Sequence, residues 1–184
     1  MKIIAITGLP LAGKGIITQK LVEKGFKKVV MSDAVRAEMD KKGIQINHEN
    51  LRNFATEIRD KHGRGYVAEL CIPLINELKS EPSVVIDGIR SPEAIIIFKK
   101  EYGADFVLIS VNSSFEIRYS RLGRPERTGD DPVSSEELKW RDEKELGWGL
   151  AETIEKADYL IENDGTMAEF EQKIKELLTK ITTS

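Results

Sequence analysis

Five short apolar runs, separated by stretches of helical periodicity, constrain this chain more tightly than any other feature of it. They are Ile3-Ile4-Ala5-Ile6-Thr7, Val29-Val30-Met31, Val84-Val85-Ile86-Asp87, Phe106 to Val111, and Tyr159-Leu160-Ile161. The runs are short and apolar, and the first three are β-branched-rich with little polar alternation, the pattern of strands covered on both faces. Between them, Gly13 to Lys24 carries Ile16, Ile17, Leu21 and Val22 near helical spacing and stops at Gly25. Ser32-Asp33 reads as the N-cap of a helix to about Lys42. Residues 47–80 read as two helices broken at Gly63-Arg64-Gly65, with Leu51, Phe54, Ala55 and Ile58 lining one and Val67, Leu70, Cys71, Leu74, Ile75 and Leu78 the other. Pro92 fits the first turn of a helix to about Tyr102, and Phe115 to Leu122 is a further helix. A single helix from about Ser134 carries both Trp140 and Trp148, read as packing residues, and the last helix runs from Met167 to about Thr182.

Strands alternating with helices imply an α/β fold of three layers, a five-stranded parallel sheet with helices on both faces. Ligands of such sheets bind at the carboxyl ends of the strands, where Gly8, Asp33, Asp87, Asn112 and Asn163 fall. The 184 residues suit one domain spanning 1–184. A net charge of −3 with scattered basic residues argues against duplex nucleic acid as a partner. No apolar run approaches the ~18 residues of a membrane span, and the run before Gly8 is too short for a signal peptide, so a cytoplasmic protein is expected. The single Cys71 excludes an internal disulfide and reads as core. His48 and His62 have no second candidate ligand nearby, so a metal site built on them is not expected.

The residues between the first strand and the first helix carry the chemistry. Gly8-Leu9-Pro10-Leu11-Ala12-Gly13-Lys14 has a glycine, four residues, a glycine and a lysine, the spacing of a phosphate-binding loop. Glycines let successive N–H groups turn inward as an anion nest, the helix adds its positive end, and Lys14 brings a full charge to β and γ phosphates. The same strand-to-helix turn also occurs as a plain glycine turn of a dinucleotide-binding fold. The loop departs from its strict pattern after the lysine, where a Mg²⁺-binding Ser or Thr is replaced by Gly15 and Ile16. Thr18 lies ~200° around the helix from Ile16, at ~100° per residue, and is not expected to stand in for it. Asp87, after three apolar residues, is placed as a carboxylate holding a Mg²⁺-bound water, or else as a turn aspartate.

Taken in order, these motifs resemble the nucleoside monophosphate kinase group, most of all the archaeal adenylate-kinase-related proteins, and more distantly dephospho-CoA kinases. Adenylate kinases carry Gly-Lys-Gly-Thr, so Gly15 is in keeping and Ile16 stands where their threonine belongs. Ser32-Asp33-Ala34-Val35-Arg36 resembles the start of their acceptor helix, whose arginine grips the acceptor phosphate. Asp87-Gly88-Ile89-Arg90 resembles their Asp-Gly-x-Pro-Arg signature without its proline. Arg121, Arg124 and Arg127, then Asp130-Asp131 and Arg141, resemble an arginine-bearing lid and the helix after it. Asn163-Asp164-Gly165 is similar to the loop beneath the donor base. The resemblance implies a phosphate-loop nucleoside-triphosphate-hydrolase-type fold, an acceptor-binding helical insert at about 32–80 and a lid at about 121–133.

It also implies an ATP-dependent kinase that binds ATP at Gly8 to Ile16 and Asn163, with Mg²⁺ held through water at Asp87. Lys14, Arg121, Arg124 and Asp87 are the expected catalytic groups, and Asp33, Arg36, Arg59, Arg90 and Arg141 the expected acceptor groups. Arg59 reads equally as a surface residue, Arg36 as solvated, and Arg90 as a partner of Asp87 or Glu93. Arg118 is expected on the outer face of its helix, and 123–132, polar and without apolar anchors, as a mobile loop. The acceptor is a small nucleotide-like molecule, a nucleoside monophosphate first and a ribose hydroxyl, as in dephospho-CoA, second. A nucleotide-binding switch that hydrolyses slowly is the reading from another class. A monomer or homodimer is expected.

Overall fold

Successive residues of the first strand bury on opposite faces, and that alone forces three layers. Ile3 and Ala5 enter one core and Ile4 and Ile6 the other, all without exposure. The computed structural model describes residues 1–122 and 134–182. Its strands are β1 (Lys2–Thr7), β2 (Lys27–Val30), β3 (Ser83–Ile89), β4 (Phe106–Asn112) and β5 (Tyr159–Glu162). Its helices are α1 (Lys14–Glu23), α2 (Met31–Lys41), α3 (His48–His62), α4 (Tyr66–Asn76), α5 (Pro92–Tyr102), α6 (Phe115–Ser120), α7 (Ser135–Gly147), α8 (Leu150–Glu155) and α9 (Met167–Thr182). The sheet is parallel throughout, in the order β2-β3-β1-β4-β5, as the alternation predicts. Helices α1 and α9 cover one face, through Ile17, Leu21, Phe170, Ile174 and Leu178. The other face is covered by α2 to α5 and by Trp148, with Cys71 buried among them.

The topology puts the functional residues together. β1 lies between β3 and β4, so the turn leaving it opens where the strand order reverses. Asp87 stands in register with Ile6 of β1 on one side and Val30 of β2 on the other. A shift of register after Ile6 then pairs Thr7 with Ile89, and the Thr7 hydroxyl donates to the Ile89 carbonyl at 2.6 Å.

Two expectations are corrected. Ser32 and Asp33 do not cap α2, because the chain passes from β2 straight into the helix with Val30 at the N-cap position and no side-chain cap. Both residues sit in its first turn, where they serve Arg36 instead. The helix expected from Ser134 onward is two helices. Ser134 caps the first by accepting from the Glu137 N–H at 3.1 Å, and Gly149, at φ 97°, turns the chain into the second. Trp148 therefore lies in the corner between them, buried at 5% exposure.

Candidate active site

The loop from Gly8 to Gly13 is drawn tight against the strands behind it. Gly8 (φ 139°) has no room for a Cβ, which would collide with the Val111 carbonyl oxygen. At Gly13 (φ 111°) a Cβ would meet the Asn163 amide and the Phe170 ring. Leu11 takes φ 62°, a left-handed conformation that a branched side chain adopts only when its surroundings hold it there. What holds it is visible in the carbonyls. Five in succession accept side-chain hydrogen bonds: Gly8 and Leu9 from Lys14 Nζ (2.7 and 2.9 Å), Pro10 from Arg118 (3.1 Å), Leu11 from Arg121 (2.8 Å), and Ala12 from Arg121 (3.2 Å) and Asn163 (2.7 Å). With these carbonyls engaged, the loop carries the backbone turn of an anion nest.

Arg118 corrects a further expectation. It is not on an outer face: it is 3% exposed and makes a bidentate pair with Asp142 of α7 at 2.9 and 2.7 Å. Its Nε also donates to the Ser113 carbonyl at 3.2 Å, so one guanidinium joins the loop, the end of β4 and α7. Arg121, expected as a catalytic arginine of the lid, is bonded to loop carbonyls and, at 2.6 Å, to the carbonyl of Asn163. Asp164 steadies this corner by accepting from the Ser113 hydroxyl and the Ser114 N–H.

A cleft of about 1180 Å³ runs from the loop to the helices across from it. Of the expected site residues, Pro10, Leu11, Gly13, Lys14, Gly15 and Ile16 line it at one end, with Arg121 and Asn163. Asp33, Arg36, Asp87, Arg90 and Arg141 line the rest. Gly8 and Ala12 are buried in the loop's underside, while Leu9 contributes its carbonyl to Lys14. Arg124, Arg127, Asp130 and Asp131 lie outside the described residues.

Thr18 makes a contact that its sequence position does not announce. Measured from Ile16 it points away, but it lies one turn beyond Gly15 and so on nearly the same side of α1. Its buried hydroxyl donates to Asp87 Oδ2 at 3.1 Å. The loop thus lacks a hydroxyl of its own, yet the helix supplies one to the carboxylate.

The opposite wall is built from side-chain charges. Arg36 Nη1 bonds Asp33 Oδ1 at 2.7 Å and Ser32 Oγ at 2.9 Å. Glu145 of α7, which nothing in the sequence singles out beyond its i+4 spacing from Arg141, has no exposure at all. Its carboxylate lies 3.0 Å from Arg90 Nε and 3.7 Å from Arg141 Nη2. Burial works to raise its pKa, but Arg90, Lys14, Arg141 and Arg52 together hold it at about 2, so it stays ionised. Burial brings the Lys14 ammonium down to about 8, with Glu145 acting to raise it, Arg90 to lower it, Asp87 to raise it and Arg141 to lower it. Arg59 is not a surface residue: it is 7% exposed, and Arg52 on the same face of α3 is 5% exposed. The signal for both was their spacing with Ala55 along the apolar stripe of that helix.

Comparison with known proteins places this geometry. A family model described as AAA domain matches residues 7–139. A UPF0200/UPF0201 protein of Archaeoglobus fulgidus is 43% identical over 182 residues, 98% of this chain and 56% of its own length, so the chain spans little more than half of that relative. A UPF0200 protein of Methanosarcina mazei is 39% identical over 179 residues, covering 97% of this chain and 95% of the relative. Among solved structures, shikimate kinase from Bacteroides thetaiotaomicron matches with a TM-score of 0.61 at 16% identity over 98% of both chains. Dephospho-CoA kinase from Campylobacter jejuni matches with a TM-score of 0.61 at 15% identity over 100% of this chain and 98% of that one. At these identities the likeness is one of fold, the three-layer α/β fold of phosphate-loop kinases.

Proposed function

This chain belongs to the AAA domain family and to the UPF0200 group, and from that premise we propose that it is an ATP-dependent kinase that moves the γ-phosphoryl group to a small anionic acceptor. One observation carries the reading: a single cleft joins Lys14 and the loop to an arginine-lined wall, with Asp87 between them. A switch that only binds and hydrolyses a nucleotide has no use for that second wall.

In this reading the loop from Gly8 to Ile16 holds the triphosphate and Asn163 borders the base. Lys14 neutralises charge on the β and γ phosphates. Arg121, which bonds the loop carbonyls, and Arg124 are the arginines assigned in this reading to the charge that develops on the transferring phosphoryl group. Asp87, partly exposed on the cleft and steadied by Thr18, suits a Mg²⁺ held through water, and the ion would neutralise charge between the β and γ oxygens. Asp33, Arg36, Arg90 and Arg141 orient the acceptor, with Arg59 set back behind them. Catalysis is positioning and charge stabilisation, and it requires no general base when the acceptor is itself a phosphate. A hydroxyl acceptor, the second reading, would use Asp33 as the base, since it lies on the cleft in the first turn of α2.

The test is ADP formation with Mg²⁺ and ATP across a panel of nucleoside monophosphates, dephospho-CoA and small phosphorylated or carboxylated alcohols. At least one acceptor should accelerate ADP release well above the rate without it. ATP binding with no acceleration by any acceptor would favour the switch.

A further inference from the structure

Behind the arginine wall is a second, much smaller space. It measures about 20 Å³ and is lined by Ser32, Arg52, Arg59 and Arg90, with Trp148 and the apolar side chains of α2 and α3 closing it. Ser32, Arg52 and Arg90 also line the main cleft, so the recess opens at the acceptor end.

Arg59 is fixed there in an unusual way. Its Nη1 donates to the Ala55 carbonyl at 2.7 Å, and its guanidinium stacks on Trp148, 4.3 Å from the ring centroid. Trp148 is itself pinned by donating Nε1–H to the Thr56 hydroxyl at 3.1 Å. Both of these partners of Arg59 are uncharged, and its buried Nε has no hydrogen-bond partner among the described residues. Burial, then the neighbouring Arg90, drive its pKa down to about 9, against the pull of Glu145. A guanidinium buried this way is costly unless an anion meets it.

We propose that this recess seats one oxygen of an oxyanion, a carboxylate or phosphate carried by the acceptor at the end remote from the group that is phosphorylated. The proposal rests on the kinase reading for the word acceptor, and it narrows the substrate class. A space of about 20 Å³ takes one water or one oxyanion oxygen, by the rule that a water fills roughly 10–15 Å³ of such space, and a purine ring does not fit. In this proposal the acceptor is anionic at this end, and it is not a nucleotide whose base lies in this recess.

Trp148 reports on the recess directly. The chain has two tryptophans, so a Trp140→Phe background leaves Trp148 as the sole indole. With the loop saturated by ADP, inorganic phosphate and succinate are titrated separately, with glycerol as the neutral control. A saturable change in Trp148 emission is expected with one oxyanion or both and none with glycerol, and the stronger of the two identifies the acceptor's group as phosphate or carboxylate. Arg59→Met should weaken the apparent affinity about tenfold or more, the loss expected for a charged hydrogen bond. If that variant does not fold, the Nε–H resonance of Arg59 in the unaltered chain should move on adding the same oxyanion. No saturable response, or one indifferent to Arg59, overturns the proposal. Oxyanion binding without any acceptor-stimulated ADP formation would instead sink the kinase reading and leave the recess standing.

Discussion

The loop after β1 and the wall opposite it both gather cations, but they use them in opposite ways. At the loop, Lys14, Arg118 and Arg121 bond main-chain carbonyls, so their effect is to shape a backbone. At the wall, Arg36, Arg90 and Arg141 meet carboxylates, and Arg59 meets a ring. A site made of backbone keeps its specificity through many side-chain changes. A site made of side chains can be respecified by a handful of substitutions. That difference fits a fold shared by kinases named for acceptors as unlike as shikimate and dephospho-CoA.

The sharpest way to break the comparison is at Arg118, the deepest of the loop's supports. Arg118→Ala leaves Asp142 without its bidentate partner and the Pro10 carbonyl without this donor. Removing one member of a buried pair costs about 3–5 kcal/mol, which urea unfolding would read as a lower midpoint at unchanged slope. Arg64→Ala, which breaks the exposed Arg64–Glu93 pair, should cost less than about 1 kcal/mol. Equal losses in the two variants would mean that Arg118 does not hold the loop as described.

The same contrast explains what the sequence made legible. The five strands and the glycine loop were readable because each is a local pattern, a run or a spacing; Asp87 was readable as the carboxylate that follows an apolar run, although β3 continues past it to Ile89. Gly8 and Gly13 are demanded by contacts of the backbone, and such demands leave a trace in residue type. The wall's Asp33, Arg36, Arg90 and Arg141 were read from the resemblance, but the Glu145 ion pairs that tie it together were not legible. Glu145 and Arg90 are brought together by α7 crossing the end of β3, and no spacing along the chain encodes that. Arg118 misled for the same reason, since its partner Asp142 is supplied by another helix. Asp33 misled more simply: a residue type that favours caps sits three positions past the N-cap, Val30, in the first turn of the helix.

A smaller effect separates the two regions by pH. Lys14 belongs to the loop and burial is what chiefly lowers its pKa, yet the charges that act on it, Glu145, Arg90, Asp87 and Arg141, come from the wall and from β3. With its pKa brought down to about 8, the ammonium is charged below that value and neutral above it. Triphosphate affinity in the absence of acceptor should therefore be flat from pH 6.5 to 7.5 and fall about tenfold by pH 9, one pKa unit above the midpoint. Calorimetric titration of ATP at each pH measures it. An affinity unchanged to pH 9 would show that backbone amides carry the triphosphate without the lysine's charge.

The smallest predicted effect lies on the boundary between the regions. Asp87 is in register with β1, which leads into the loop, and with β2, which leads into the wall. Its one hydroxyl donor among the described contacts is Thr18, from the loop's own helix. Thr18→Val keeps the shape and burial of the side chain and removes that hydrogen bond, worth about 0.5–1.5 kcal/mol. The chain should fold as before, while the Mg²⁺ concentration that gives half-maximal ATP binding rises roughly threefold to tenfold. Thr18→Ser, which restores the hydroxyl, should recover most of the loss. If the valine variant shows the same Mg²⁺ dependence, the carboxylate is oriented from the wall's side, and the metal belongs to the acceptor's half of the cleft rather than the donor's.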